Sequence, residues 1–397
     1  MEKNDINELL SRGIQNIYPS KEFLENKIRK GEKLTIYLGI DPTGPTLHLG
    51  HAIPIKKLAE FQKMGHKIIL LMGDFTAMIG DPTDKSAARK QLTHKEVMNN
   101  LKLYKKQASK LISFKGKNAA SFKFNSKWLG KMNFEEVANL ASTMTVQQML
   151  ERDMFKKREE EGKPIYLHEF MYPLMQGYDS VAMDVDGEIG GNDQMFNMLC
   201  GRDMMKTMKN KEKFVITVKL LEDNSGKKMG KTENNMLALC DSGEEMYGKV
   251  MSWTDGLILP GFELCTNVSG DELNNIKNDL NDGKNPKDFK MKLAQHIVTT
   301  YHGEKKAEEA EKNWENTFSK KEIPEDVEVF TVKENDLLVD IFLNNKIVSS
   351  KGDFRRLIEE GAITNLGTDE KINSTGEKVK GGTYRIGKKR FCKIEIE

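Results

Sequence analysis

Two histidines one helical turn apart follow an apolar run in the stretch Gly39 to His51, "GIDPTGPTLHLGH". Three glycines and two prolines in those thirteen positions impose more conformational control than an ordinary loop needs, so a ligand is expected to approach this backbone closely. A helix beginning here offers unpaired N–H groups and the positive end of its dipole, which together favour an anion such as phosphate. His48 and His51 could add donors to phosphate oxygens. Gly50, lacking a side chain, would let a base or ribose lie against the chain, with Asp41 and Thr43 in the same turn. A second stretch, "GKKMGKT" from Gly226 to Thr232, places Lys228 and Lys231 in a glycine-bearing loop suited to closing over a polyphosphate. Read singly, each motif has a plainer account: His48 as a helix cap, His51 as a packing residue, the lysines as solvated charges.

Two further constellations carry chemistry. In "YPLMQGYD" the residues Tyr172, Gln176 and Asp179 are spaced by four and then three, so their polar ends share one helix face. A polar stripe directed into an apolar sheet domain suits a small polar ligand; turned outward it would only meet solvent. In "EIGGNDQ", Gly190 and Gly191 permit close approach after a strand, and Asp193 can accept from ribose hydroxyls.

The elements that must position these residues alternate between strand and helix. "KLTIYLGI" (33–40) reads as a buried strand, "LGHAIPIKKLAEFQKMG" as a helix capped near Gly65, and "HKIILLMGDF" as a second strand. Strand, helix, strand over that distance predicts a right-handed parallel crossover, the seed of a doubly wound sheet. Residues 90–162 read as mostly helical, with "ERDMFKKREEEGK" as a solvated face. "VAMDVDGEIGG" and "FVITVKLL" then read as strands around a helical "NDQMFNMLCGRDMMKTMK". Both nucleotide motifs thus fall at the carboxyl ends of strands, where such sheets bind ligands. After a polar stretch the pattern is helical to about Glu328, and "KKEIPEDVEVF" leads into a basic tail with one short helix and a closing strand pair. The expected organisation is an α/β doubly wound parallel-sheet, Rossmann-like catalytic domain over 1–225. A helical domain with the lysine loop should cover 226–330, and a small α+β domain 331–397.

Composition narrows the class. With 397 residues, 38% apolar and 31% charged, the chain describes a soluble globular protein of several domains. A formal charge of +2 is too weak a field to steer a polyanion, so any nucleic-acid contact must be local. Cys200, Cys240, Cys265 and Cys392 lie far apart without metal-ligand spacing, as in a reduced cytoplasmic protein. The amino end lacks a secretion signal, and "IILLM" is too short to span a bilayer.

With these motifs in order along the chain, the sequence resembles the class I aminoacyl-tRNA synthetases, and within them the bacterial tyrosyl enzymes. "HLGH" corresponds to the HIGH signature of that class and "KMGKT" to its KMSKS loop. Between them "YLGIDPT", "GDFTAMIGDPT", "LHEFMYPLMQGYDS" and "EIGGNDQMFN" resemble tyrosyl-enzyme segments. The resemblance implies formation of tyrosyl-adenylate from L-tyrosine and ATP with Mg²⁺ on the phosphates, then transfer to tRNA. By it, His48, His51, Lys228 and Lys231 stabilise the transition state, and Asp41, Thr43, Gly50, Gly191 and Asp193 complete the ATP site. Tyr37 and Asp179 would hold the tyrosine phenol, and Asp81, Tyr172 and Gln176 its ammonium group. Gln194 would face the carboxylate or α-phosphate, with Thr76 and Asn125 in a second rank.

The resemblance also implies a homodimer paired through helices near Phe134 to Lys157. In the tail, "SSKGDFRRLIEEGAIT" and "GKKRFCK" resemble an RNA-binding domain, placing Lys351, Arg355, Arg356, Lys388, Lys389 and Arg390 against RNA phosphates. Departures from the family pattern are Gly230 in place of a hydroxyl residue, and Lys219 where proline is common. The alternatives are a tryptophanyl synthetase and a non-catalytic RNA-binding relative.

Overall fold

The branched residues of Thr35–Ile40 and Lys67–Met72 pair as neighbouring parallel strands, joined by the helix Leu49–Lys63. In this computed structural model the described residues are 3–82, 92–222, 236–318, 327–333, 335–368, 370–387 and 390–396. The larger of two compact units, Met1–Glu311, is built on a six-stranded sheet of β1 (Ile14–Tyr18), β2 (Thr35–Ile40), β3 (Lys67–Met72), β4 (Ser121–Phe124), β5 (Gly187–Gly191) and β6 (Phe214–Val218). Their order is β1-β6-β5-β2-β3-β4, and β1 alone runs antiparallel.

This order creates the cleft. From β2 the chain proceeds outward to β3 and β4, then returns to lay β5 on the other side of β2, so the winding reverses between β2 and β5. Ligands bind at such switch points, outside the carboxyl ends of the strands. Here the two strands pair only at Ile36 with Gly187 and Tyr37 with Glu188, although β2 continues to Ile40 and β5 to Gly191. They therefore part toward their carboxyl ends and leave room between them.

Three sequence expectations are corrected. Within 90–162 the chain forms β4 as well as helices, because Met72 and Phe124 close a parallel ladder that local periodicity does not reveal. The strand expected from Val181 begins only at Gly187; the helix Leu167–Met183 runs through Val181, and Asp184 ends it in the left-handed conformation. The helix Leu49–Lys63 is capped at Met64, with Gly65 following at φ +83°. The expected sheet also gains β1, whose antiparallel pairing covers the β6 edge.

Helices Gly243–Met251, Ile258–Cys265, Gly270–Asn281 and Pro286–His302 follow in the same unit, burying Met246, Tyr247, Phe262, Leu293, Ile297 and Val298 among them. The smaller unit, Lys312–Glu397, has its own sheet of β7 (Val329–Val332), β8 (Ile363–Asn365), β9 (Glu370–Lys371), β10 (Gly382–Ile386) and β11 (Arg390–Ile396), in the order β7-β11-β10-β8-β9. Phe342, Phe354 and Tyr384 fill its core. Among the described residues no helix is long and apolar enough to cross a membrane.

Close packing where β5 meets β6 is testable. A Cβ on Gly187 would lie 2.0 Å from the Phe214 ring, well inside contact distance. Gly187→Ala should therefore destabilise the larger unit by about 1–3 kcal/mol in urea unfolding. An unchanged midpoint would show that the ring does not cover this strand.

Candidate active site

The parted carboxyl ends of β2 and β5 open onto a cavity of about 520 Å³. Its wall includes Asp41, Thr43, His48, Gly50 and His51 from the turn after β2, and Gly190, Gly191, Asp193 and Gln194 from the end of β5. Thr76 and Asp81 contribute from beyond β3, and Tyr172, Gln176 and Asp179 from the helix Leu167–Met183. The spacing that set those three on one face thus turns them inward to the cavity.

At the nucleotide end, His48 is the N-cap of its helix and its backbone N–H donates to His51 Nδ1 at 3.2 Å. With Nδ1 accepting, the neutral His51 ring carries its proton on Nε2. The ring centroids lie 3.9 Å apart. A Cβ at Gly50 would lie 3.0 Å from the His48 ring, tighter than ordinary contact, so glycine here gives that imidazole room to fold over the helix start. Gly191 serves Asp193 in the same way: a Cβ there would lie 2.5 Å from Asp193 Oδ1. Lys228 and Lys231 lie outside the described residues, but the chain on either side of their loop is placed. Leu220 and Leu221 line the cavity, and beyond the loop Leu237 and Leu239 pair with Leu49 and Leu47, beside the histidine turn.

At the other end Asp41, Thr76, Asn125, Trp128, Tyr172 and Asp179 form one continuous network of side chains. Tyr172 Oη donates to Asp41 Oδ2 at 2.9 Å, and Thr76 Oγ1 donates to Asp41 Oδ1 at 2.7 Å. Asn125 Nδ2 donates to Thr76 Oγ1 at 3.0 Å and to Asp179 Oδ2 at 3.2 Å. Trp128 Nε1 donates to the other Asp179 oxygen at 2.7 Å. Burial pushes the Asp179 carboxyl well above the usual range against these two donors. Tyr37 lies behind the wall, fully buried, with its hydroxyl 3.0 Å from Ser180 Oγ. Burial, then the charges of Glu188 and Asp179, raise its phenol and keep it protonated. Gln194 Nε2 donates to Asp81 Oδ2 at 2.7 Å, tying the end of β5 to the segment beyond β3.

Tyr37 and Asn125 therefore support the cavity from behind, whereas Thr76, Asp81, Tyr172, Gln176, Asp179 and Gln194 face it. Asp41, expected with the nucleotide, instead makes its hydrogen bonds to Thr76 and Tyr172. Five residues escaped the sequence reading. A Cβ on Gly73 would lie 1.9 Å from Asp41 Oδ1, so this glycine admits the Asp41–Thr76 bond. Trp128, Ser180, Glu188 and Lys213 each have a partner 25 or more positions away, which no local pattern announces. Lys219 has a physical account: its N–H donates to the Gly13 carbonyl, which a proline could not do, and its ammonium meets Glu263 at 2.7 Å.

Burial is the leading influence on the ionisation of Tyr37, Asp41, Tyr172 and Asp179. Asp41 is raised by burial from 3.8 to about 7. Because the folded value lies above the unfolded one, this contribution to stability is whole below 3.8 and is lost as pH rises through about 7. Asp41→Asn, which cannot ionise, should flatten that part of the fall in unfolding free energy between about pH 4 and about pH 7. Equal slopes in the two proteins would place the Asp41 carboxylate in water.

The family described as tRNA synthetases class I (W and Y) matches residues 29–319. Over 98% of both chains, the protein is 43% identical to tyrosine–tRNA ligase 2 of Clostridium acetobutylicum. It is 40% identical to the tyrosine–tRNA ligase of Thermotoga maritima, over 97% of this chain and 96% of the other. Among solved structures, the mitochondrial tyrosyl-tRNA synthetase of Aspergillus nidulans superposes with a TM-score of 0.67, covering 80% of this chain and 95% of that one at 23% identity, which speaks for the fold. A switch-point cavity carrying the two-histidine turn and relatives aligned end to end give one conclusion: the chain belongs to the class I aminoacyl-tRNA synthetases, among the bacterial tyrosine–tRNA ligases.

Proposed function

We propose that the chain joins L-tyrosine to ATP as tyrosyl-adenylate and passes the tyrosyl group to the 3′ end of tRNA(Tyr). The observation that carries this reading is that the two-histidine turn and Asp179 border the same cavity. The amino-acid carboxylate is already a nucleophile at neutral pH, so no activating base is needed. It attacks the α-phosphorus in line and the α–β phosphoanhydride bond breaks, releasing pyrophosphate. His48 and His51 at the helix start, with Lys228 and Lys231 from the loop, stabilise charge gathering on the phosphates. Thr43, Gly50 and Gly191 line the path of the nucleotide, and Asp193 accepts from its ribose. Magnesium bound to the phosphates of ATP would offset their charge. The terminal ribose of tRNA then takes the acyl group from the adenylate.

At the amino-acid end, Asp81, Tyr172 and Gln176 receive the ammonium group, with Asp41 beside them. Gln194 takes the carboxylate, and Asp179 takes the phenol, with Tyr37 in the wall behind it. Thr76 and Asn125 hold Asp41 and Asp179 in place. An indole or plain phenyl ring would leave buried polar groups without partners, which is how a site rejects an analogue lacking a hydroxyl; tyrosyl enzymes are themselves the standard illustration of that principle.

Two surfaces extend the reading. Phe134, Leu167, Val146 and Tyr166 are 88%, 78%, 59% and 52% exposed on helices that meet over Leu140 and Met149. Apolar surface of this size suits a second copy of the chain. In the smaller unit Lys351, Arg355, Arg356 and Arg390 are exposed and would meet RNA phosphates. Arg356 lies 2.8 Å from Asp353 and Lys351 lies 3.8 Å from Asp340, so Arg355 and Arg390 present the less compensated charges of the four. Lys388 and Lys389 lie outside the described residues. The four cysteines are unpaired thiols, suited to a reducing cytoplasm.

In tyrosine-dependent ATP–pyrophosphate exchange, Lys231→Ala and Asp179→Ala should each lose activity by about a hundredfold while circular dichroism stays unchanged. Ordinary rates in both variants would reject these roles. Phe134→Asp should shift the sedimentation of the protein from dimer to monomer, and an unaltered dimer would place the interface elsewhere.

A further inference from the structure

Behind the amino-acid end of the cavity a lysine and a glutamate are buried as a pair. Lys213 and Glu188 have exposures of 0% and 2%, and Lys213 Nζ lies 2.5 Å from Glu188 Oε2. Replacing a buried ion pair by apolar residues of similar volume is often neutral for stability, so such a pair is weak evidence of a purely structural role. Their contacts run in two directions behind that end. Glu188 Oε1 accepts from Gln176 Nε2 at 3.2 Å. The ammonium of Lys213 donates to Ser180 Oγ at 2.8 Å, and Ser180 Oγ lies 3.0 Å from the Tyr37 hydroxyl. Glu188 also stands beside Tyr37 in the last rung that joins β5 to β2.

One of these bonds has a fixed direction: an ammonium group only donates, so Ser180 Oγ accepts from Lys213. Between Ser180 and Tyr37 either hydroxyl can donate, and burial, then the neighbouring Glu188 charge, hold the Tyr37 proton on its oxygen. At the other end, an amide whose N–H is committed to Glu188 has its carbonyl oxygen left to accept.

We propose that Glu188 and Lys213 form a positioning pair for tyrosine recognition. Through Gln176 they present an acceptor to the substrate ammonium, and through Ser180 they fix Tyr37 in the wall behind its phenol. The pair does not touch the reacting atoms. This rests on the assignment of Gln176 and Tyr37 to the amino-acid site.

The test compares three variants by ATP–pyrophosphate exchange. Glu188→Leu/Lys213→Leu removes both charges together and so avoids stranding one of them in the interior. It should raise KM for tyrosine by about tenfold or more and narrow the preference for tyrosine over phenylalanine, with KM for ATP unchanged. Glu188→Gln/Lys213→Met restores a carbonyl acceptor for the Gln176 amide and should recover part of the tyrosine KM. An unchanged tyrosine KM in the leucine pair, an equal rise in KM for ATP, or no recovery in the glutamine–methionine pair would overturn the proposal. Gln176→Ala is the separate control. If it too leaves the tyrosine KM unaltered, the assignment of the amino-acid site itself fails; if it alone raises KM, only the positioning role is lost.

Discussion

Asn125 is fully buried, and a buried side-chain amide must have partners for both of its ends. Its oxygen accepts from the Phe75 N–H at 3.0 Å, while its nitrogen divides between Thr76 and Asp179 at 3.0 and 3.2 Å. The backbone N–H of the same residue donates to the Met72 carbonyl, continuing the ladder between β3 and β4. One residue thus ties the carboxyl ends of two strands to the helix that carries Tyr172, Gln176 and Asp179. Removing it would strand acceptors in the interior, where each unsatisfied group costs about 1–3 kcal/mol.

The same logic governs the cavity as a whole. Asp41, Asp179 and Glu188 are brought close together away from water, and like charges in a low dielectric repel strongly. The protein answers with donors rather than with equal countercharge: Thr76 and Tyr172 on Asp41, Trp128 and Asn125 on Asp179, and one ammonium, Lys213, on Glu188. The cavity is left acidic toward its amino-acid end, which suits a ligand arriving with an ammonium group. At the opposite end the helix start and the histidines favour an anion. A substrate pair carrying ammonium on one partner and triphosphate on the other is accommodated by that gradient, with the reacting carboxylate and α-phosphate between.

Local sequence carried a great deal of this. The apolar runs of β2, β3 and β6 and the glycine-rich turns at the sheet's carboxyl edge were legible because a buried parallel strand is uniformly apolar and a close backbone approach requires glycine. The face shared by Tyr172, Gln176 and Asp179 followed from helical spacing alone. By contrast β4, four residues reading "SFKF", carries a lysine and is only partly buried, so nothing marks it off from the helices around it. Lys213 was the least legible residue of all: within "NKEKFVITV" it reads as a solvated cation, and only the fold turns it onto Glu188. Pairings across the sheet are fixed by topology, and topology is where periodicity falls silent.

If a donor-lined cavity at the β2–β5 switch point is what recognises the substrate, discrimination among aromatic amino acids follows from the hydroxyl. The most direct measurement is kcat/KM for ATP–pyrophosphate exchange by the unaltered protein with tyrosine, phenylalanine and tryptophan in turn. The account predicts efficient exchange with tyrosine and exchange lower by orders of magnitude with the other two. Comparable exchange with phenylalanine or tryptophan would contradict it.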